Sequence, residues 1–157
     1  MEHAEVTFTR EFKAPRALVF DVWTNAKHMK QWFAPDMFSV GSAMSDPRTG
    51  GVFAWSMVAP DGAEHWTRGV YEEVVAPEKV VSRARVVDAN DKPMFEVLTT
   101  ARFTEANGVT TLNMSQKVVG VMQPEIAKFA IAGMEEGWRQ TLVKFAAAVT
   151  GLTGGKS

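Results

Sequence analysis

The sequence predicts a single soluble α+β domain in which a long C-terminal helix closes a curved antiparallel sheet over an apolar pocket. Apolar and polar side chains alternate over residues 5–12, which is the period of two of a strand with one buried face. Turn-forming sequences divide residues 38–103 into short runs, a rhythm that favours an antiparallel meander. From residue 124 onward apolar side chains recur every three or four positions, the spacing of an amphipathic helix.

Length and composition limit the number of domains and the kinds of partner. The chain has 157 residues, of which 46% are hydrophobic and 22% charged, which suits one domain over residues 1–150 and a flexible tail over residues 151–157. Lys and Arg number 17 against 18 Asp and Glu, so no net positive charge draws the chain to nucleic acid or anionic lipid. We therefore expect no nucleic-acid partner.

Cysteine usage and the N-terminal sequence bear on chemistry and location. The sequence has no cysteine, which excludes disulfides, thiolate nucleophiles and cysteine-ligated metal sites. Residues 1–6 lack the charged-then-apolar layout of a signal peptide, and no apolar run approaches the length that spans a bilayer. We expect a cytoplasmic protein without membrane insertion.

Two short helices are predicted between the first and second strands. Strand one is expected over about residues 5–12. Pro15 suits the first turn of a helix, and the apolar residues after it recur at helical spacing as far as Thr24. A second helix is expected over residues 26–32, because Pro35 forbids much extension.

The later strands are separated by turns rich in Gly, Pro, Asn and Asp. Asn107-Gly108 supplies the positive φ angles of a tight hairpin, so strands six and seven are expected to pair. The other predicted turns are Asp46–Gly51, Pro60–Gly62, Ala76–Lys79 and Asn90–Pro93.

The last helix is predicted to run from about Pro124 to about Val149, a length of roughly 40 Å at about 1.5 Å per residue. Trp138 lies on its apolar stripe and is expected to be buried against the sheet. Glycine in a helix interior costs about 1 kcal/mol relative to alanine, so the presence of Gly133 and Gly137 needs a structural reason. Either close packing of the helix on the sheet or open space beneath the helix would be such a reason.

A series of short motifs follows this plan along the chain: Arg10–Pro15, Val19–Asn25, Gln31–Pro35, Gly50–Phe53, Pro60–Gly62, Arg68–Val74, Pro77–Val80 and Glu136–Trp138. In this order and spacing they resemble the activator-of-heat-shock-protein-90-ATPase-like branch of the START/Bet v superfamily, also called the SRPBCC domains. The resemblance covers almost the whole chain. The motifs are specific as an ordered set, and each alone is weak.

The resemblance implies a helix-grip fold, in which seven strands wrap around the last helix and leave a cavity between them. It implies no particular reaction, because members of the superfamily include lipid carriers, hormone receptors, cyclases and co-chaperones. An apolar small-molecule ligand and a protein partner such as a chaperone are both compatible with it. No cofactor is expected.

A cavity between the last helix and the concave face of the sheet is the predicted ligand site. Large aromatic residues surround small ones in this part of the fold, which favours stiff walls around an open middle. The alternative is a filled core, since a regularly spaced aromatic residue more often packs than binds a ligand. The candidate ligand-binding residues are Trp55, Trp66, Tyr71, Ser82, Ala84, Val97, Met114, Phe129, Gly133 and Trp138.

The sequence indicates no catalytic residue. His28 and His65 have no second ligand at metal-binding spacing, so no metal site is expected. Glu135 and Glu136 diverge by about 100° on a helix and do not form a carboxylate pair. Most polar residues on the predicted strands are expected to face water, because an unpaired buried charge is costly, and any that faced inward would need a partner or a polar ligand. These residues are Arg68, Glu72, Glu73, Arg83, Arg85 and Gln116.

Two functions from different classes stay open. One is the binding of an apolar small molecule, with or without general acid–base or cyclase-type chemistry. The other is an interaction module that acts on a chaperone or another protein through its surface and has a filled core. An open pocket on the order of several hundred Å³ would favour the first, and a large exposed apolar patch the second. The sequence does not indicate the oligomeric state.

Overall fold

The computed structural model describes residues 5–153, which contain seven strands and four helices. In chain order these are β1 Glu5–Phe12, α1 Arg16–Thr24, α2 Ala26–Trp32, β2 Ser39–Ser45, β3 Val52–Val58, β4 Glu64–Val75, β5 Lys79–Val87, β6 Pro93–Ala106, β7 Val109–Val121, α3 Pro124–Ala132 and α4 Met134–Thr153.

The strands form one sheet in the order β1-β7-β6-β5-β4-β3-β2, and all neighbouring strands are antiparallel. The predicted seven-stranded antiparallel sheet is therefore confirmed. Asn107 and Gly108 have φ angles of 55° and 78° and join Ala106 to its register partner Val109. This is the tight hairpin that the Asn-Gly pair predicts.

The two short helices after β1 are also confirmed. α1 follows Pro15, and α2 begins after Asn25, whose side chain accepts a hydrogen bond from the Lys27 N–H at 3.0 Å. The Trp32 indole Nε1 donates to the Val22 carbonyl at 2.9 Å, which fixes α2 to α1. Because α2 also contacts β2 and α4, it connects an edge of the sheet to the C-terminal helix.

A dense aromatic core lies where the second half of α4 meets the first helices and β1. Phe145 is fully buried. Its ring makes edge-on contacts with Phe12, Trp23 and Trp32 at centroid distances of 5.3, 5.4 and 4.7 Å. Trp138 is 8% exposed and stacks on Trp23 at 5.9 Å, so its predicted burial is confirmed.

The predicted long C-terminal helix is present, but it is divided into two helices at Gly133. α3 ends at Ala132 and α4 begins at Met134, and Gly133 between them has φ −90° and ψ 3°, outside the α-helical range. The low helix propensity of glycine explains why the interruption falls there. Hydrogen bonds from Gly133 N to Phe129 O and from Gly137 N to Gly133 O connect the two helices across it.

The C-terminal end of α4 also differs from its predicted position. The helix continues to Thr153, so residues 151–153 are helical although they were expected to begin a flexible tail. The Thr153 hydroxyl lies 3.5 Å from the Val149 carbonyl and supports this last turn. The rest of the predicted tail, residues 154–157, lies outside the described residues.

Candidate functional site

An apolar cleft of about 320 Å³ lies between the concave face of the sheet and the helices α3 and α4. We call it the outer cleft. Strands β3 to β7 supply its floor, and α3, α4 and the segment after α2 supply its walls. Its lining residues are Phe33, Pro35, Trp55, Met57, Thr67, Val86, Phe95, Val97, Gln116, Phe129, Ala130, Gly133, Met134, Gly137, Trp138 and Thr141.

Two glycines keep this space open. A β-carbon built at Gly137 would meet no atom within 4 Å, and one at Gly133 would meet only backbone oxygens at 3.7 and 3.9 Å. Neither glycine is therefore required by close packing of helix on sheet. Gly69 on β4 is the contrasting case, since its β-carbon would lie 2.5 Å from the Phe53 ring. Of the two reasons that the sequence left open for Gly133 and Gly137, the structure favours space beneath the helix.

A second, smaller cavity of about 30 Å³ lies next to the outer cleft. We call it the inner chamber. The two cavities share the lining residues Phe33, Trp55, Val97, Gln116 and Trp138, which form a waist between them. The other residues that line the inner chamber are Trp23, Met29, Phe53, Tyr71, Ser82, Ala84 and Thr99.

Stacked aromatic rings stiffen one side of both cavities. Phe33 and Trp55 stack with their centroids 4.0 Å apart and their planes 20° apart. The ring centroids of Trp55 and Phe53 are 6.0 Å apart, and those of Phe53 and Tyr71 are 4.8 Å apart. Rings held on both faces have little freedom to collapse into a neighbouring space. This wall can therefore stay in place while the cavity beside it is empty.

The waist carries a short chain of polar groups. The Gln116 Nε2 donates to the Thr99 hydroxyl oxygen at 2.9 Å, and the Trp138 Nε1 donates to the Gln116 Oε1 at 2.9 Å. The Trp55 Nε1 is buried and has no hydrogen-bond partner among residues 5–153. The waist thus contains the Gln116 carboxamide, which is oriented by two hydrogen bonds, and the Trp55 indole N–H, which has no partner among the described residues.

No residue that lines either cavity carries a charge at neutral pH, as far as residues 5–153 show. Tyr71 is the ionisable member of the lining. Burial raises the pKa of its phenol to about 12, and its hydroxyl lies 2.6 Å from the Ser45 hydroxyl. Tyr71 is therefore neutral across the physiological range, and it supplies polarity without charge.

The structure brings most of the predicted site residues together. Trp55, Val97 and Trp138 line both cavities. Tyr71, Ser82 and Ala84 line the inner chamber. Phe129 and Gly133 line the outer cleft. That these residues contact a ligand stays a prediction.

Two predicted site residues do not line either cavity. Trp66 precedes Thr67 on β4, and Thr67 lines the outer cleft, so the alternation of a strand turns Trp66 to the other face. There the Arg68 guanidinium lies 4.8 Å from its ring centroid. Met114 is on the concave face with Gln116, but it is 2% exposed and belongs to the packed core.

Gln116 is the main residue whose placement differs from the sequence prediction. It was expected to face water, and instead it lies at the waist between the cavities. Phe33 was not predicted in the site either, because it follows α2 in a segment without periodicity. The signal for Gln116 was available, since it is two residues from Met114 on the same strand and so shares its face.

Phe129 occupies the mouth of the outer cleft. Its side chain lines the cleft and is still 73% exposed. The Lys128 ammonium lies 5.3 Å from the Phe129 ring centroid, so a positive charge stands at the mouth. Ala127 is the buried residue of α3, and Ile126 is 45% exposed. α3 therefore covers the cleft with few buried contacts of its own.

His28 and His65 lie outside both cavities. His28 Nε2 is 3.3 Å from the Asp21 carboxylate on α1, and His65 is exposed near the start of β4. Within residues 5–153, no group of three or more His, Cys, Asp or Glu residues could hold a metal ion. No helix in this part of the chain combines the length and the apolar character needed to cross a membrane.

A seven-stranded antiparallel sheet closed by a C-terminal helix over an apolar cleft defines a protein of the helix-grip class. The family model described as "Activator of Hsp90 ATPase homolog 1-like protein" matches residues 13–150, and this chain belongs to that family. The family resemblance of the sequence motifs is thereby confirmed.

Solved structures with the same fold come from several bacteria. The AHSA1 protein of Silicibacter pomeroyi is 22% identical with a TM-score of 0.79, over 94% of this chain and 98% of that one. A protein of Arthrobacter aurescens is 19% identical with a TM-score of 0.81, over 93% of this chain and 86% of that one. A protein of Staphylococcus epidermidis is 25% identical with a TM-score of 0.74, over 96% of this chain and 92% of that one. No curated protein matches the sequence.

Proposed function

We propose that this protein binds an apolar small molecule in the outer cleft. The observation that carries the proposal is an apolar space of about 320 Å³ beneath Gly133 and Gly137, with no side chain to fill it. Ligand sites are typically clefts of about 300–1,000 Å³ with apolar walls and a few polar groups that orient the guest. The outer cleft has this size and this composition.

The proposal covers binding and no reaction. Acid–base catalysis needs a group that titrates near the working pH, and the ionisable group in the lining of the cavities is Tyr71, whose pKa is raised to about 12. Gln116 can donate and accept hydrogen bonds but cannot exchange a proton at neutral pH. The chemistry supported by these side chains is therefore desolvation and orientation of a guest.

The test is to fill the cleft from the helix and to measure binding of an uncharged apolar dye such as Nile red. Gly133→Leu and Gly137→Leu would each place a bulky side chain in the outer cleft. We therefore expect the affinity for the dye, measured from its fluorescence, to fall at least about tenfold while the circular dichroism is unchanged. Gly151→Leu is the matched control, because Gly151 lies in α4 with open space around it and does not line the cleft.

Two results would contradict the proposal. One is a wild-type protein that binds no apolar probe. The other is equal dye affinity in Gly137→Leu and Gly151→Leu, which would place the dye elsewhere on the surface. Native mass spectrometry of gently purified protein would add the mass of any ligand that the protein retains.

A second candidate function is action on an Hsp90-type chaperone, and the exposed apolar residues of α3 favour it. Phe129 is 73% exposed and Ile126 is 45% exposed on one short helix, which is typical of a surface that contacts another protein. We would expect the protein to raise the ATPase rate of a purified bacterial Hsp90, and Phe129→Ser to reduce that effect. An ATPase rate that does not respond to a large excess of the protein would remove this candidate.

A further inference from the structure

We propose that the ligand of the outer cleft is an uncharged molecule with a hydrogen-bond-accepting oxygen, such as a ketone or ester carbonyl, and that this oxygen is bound at the waist. This inference rests on the proposed function and specifies the class of ligand. It places the apolar body of the ligand in the outer cleft and its oxygen against donors of Thr99 and Gln116.

The polar groups at the waist have unused hydrogen-bond donors rather than unused acceptors. Gln116 Oε1 already accepts from Trp138 Nε1, and the Thr99 hydroxyl oxygen already accepts from Gln116 Nε2. A carboxamide nitrogen carries two hydrogens, and a hydroxyl that accepts still has its own proton to donate. Among residues 5–153 the second Gln116 N–H and the Thr99 O–H have no acceptor, so they can bind one.

Trp55 adds a donor that cannot also act as an acceptor. Its Nε1 is buried without a partner among residues 5–153, although its side chain lines both cavities. Buried polar groups nearly always have a partner, because an unsatisfied one is costly. Trp55 is therefore the residue of the waist whose polar group still lacks a partner.

The size of the inner chamber limits what can enter it. Its volume of about 30 Å³ is about two to three times the roughly 10–15 Å³ that one water molecule needs, so it admits a head of only a few atoms. A carbonyl oxygen fits this limit, and a ring does not. The body of the ligand must then remain in the outer cleft, between the aromatic wall and α4.

The absence of charge in the lining selects against an anionic head. A carboxylate at the waist would lose its hydration without a cation to replace it, which is far more costly than for a neutral carbonyl. A carboxylate could still reach a positive charge by lying the other way round, because Lys128 stands beside Phe129 at the mouth. That orientation is the competing outcome which the experiment must separate.

The experiment compares three naphthalene probes that differ only in their head. They are 6-propionyl-2-dimethylaminonaphthalene, its 6-propyl analogue without the carbonyl, and 6-dimethylamino-2-naphthoate with a carboxylate. We expect the propionyl probe to bind roughly tenfold more tightly than the propyl probe, the effect of about one or two neutral hydrogen bonds. The naphthoate should bind more weakly than either.

A matched pair of variants tests the position of the oxygen. Thr99→Val removes the inner-chamber hydroxyl that accepts a hydrogen bond from Gln116 of the waist, and it should lower the affinity for the propionyl probe about fivefold, with no change for the propyl probe. Thr100→Val makes the same substitution on the opposite face of β6, outside both cavities, and should change neither affinity. Thr99→Ser keeps the hydroxyl and should keep the preference, which protects the test against a folding defect in the valine variant.

The outcomes distinguish this inference from the proposed function. If none of the three probes binds, the proposed function fails. If the propyl and propionyl probes bind equally well in wild type, the cleft binds apolar molecules but the inference about the oxygen is overturned. Tightest binding of the naphthoate, reduced by Lys128→Gln, would also overturn it and would show an anion at the mouth.

Discussion

Gly137→Ala is predicted to raise the stability of the protein while it narrows the outer cleft. The residue lies inside α4, and a β-carbon at this position meets no atom within 4 Å, so the new methyl group causes no clash. Alanine in place of glycine in a helix interior stabilises by about 0.5–1 kcal/mol. For a domain of this size the gain corresponds to a rise in Tm of about 1–4 °C.

Two further glycine substitutions show whether the gain comes from open space. Gly151→Ala, in the same helix with nothing near its β-carbon, should give the same gain. Gly69→Ala should instead lose stability, because its β-carbon would lie 2.5 Å from Phe53 and 2.6 Å from the Arg83 carbonyl oxygen. Overpacking of this kind typically costs about 1–3 kcal/mol.

Urea titration followed by circular dichroism measures all three variants on one scale. A loss of stability in Gly137→Ala beside a gain in Gly151→Ala would refute the reasoning, because it would mean that other atoms occupy the space next to Gly137 in solution. The outer cleft would then be filled, and the ligand-binding proposal would lose the observation on which it rests.

Two other predictions concern the packed and charged parts of the fold. Trp138→Ala removes a ring that is 8% exposed and stacks on Trp23, so we expect a loss of about 3–5 kcal/mol in denaturant titration, and a loss below about 1 kcal/mol would show that it is not a core anchor. Glu96 accepts hydrogen bonds from Arg83 and Arg85, which hold the pKa of its carboxyl below the usual value. A depressed folded-state pKa stabilises the protein above the unfolded-state pKa of about 4.3, and this contribution is lost as pH falls through the folded-state value. The stability gap between wild type and Glu96→Gln should therefore shrink below about pH 4 in thermal unfolding, and a gap that is constant from pH 7 to pH 3 would count against the assignment.

The fold was predictable because its signals are local. The alternation in β1, the Asn107-Gly108 hairpin and Pro15 before α1 each act within a few residues, and each sets an element that the structure contains. The interruption at Gly133 was harder to predict. Glycine weakens a helix at any position, and whether the helix breaks there depends on the contacts on both sides, which are not local.

The position of Trp66 outside the cavities could have been predicted from the sequence. Trp66 and Tyr71 are five residues apart on β4, and an odd separation along a regular strand puts two side chains on opposite faces. The two side chains therefore cannot both line one cavity, and it is Tyr71 that lines the inner chamber. The register irregularity of this strand comes after Tyr71 and does not change the argument.

Gln116 shows the limit of reasoning from polarity. A carboxamide on a strand is expected in water, because its burial is costly unless its hydrogen bonds are met. Thr99 on β6 and Trp138 on α4 meet two of them, and both partners lie at least 17 residues away in the sequence. The face of Gln116 followed from alternation, but only the tertiary fold could show that its burial is compensated.

The two ends of α4 explain how one helix holds the fold together and leaves a cavity. Near Phe145 the helix packs into a cluster of aromatic rings, where truncation of a buried Phe to Ala typically costs about 3–5 kcal/mol. At Gly137 itself it carries no side chain over the cleft, and the cost of that glycine is about 1 kcal/mol. The stabilisation at one end thus exceeds the cost at the other by a factor of about three to five. Substitutions at Gly137 can therefore change binding without unfolding the protein, whereas a substitution at Phe145 would affect the fold before it affected the cleft.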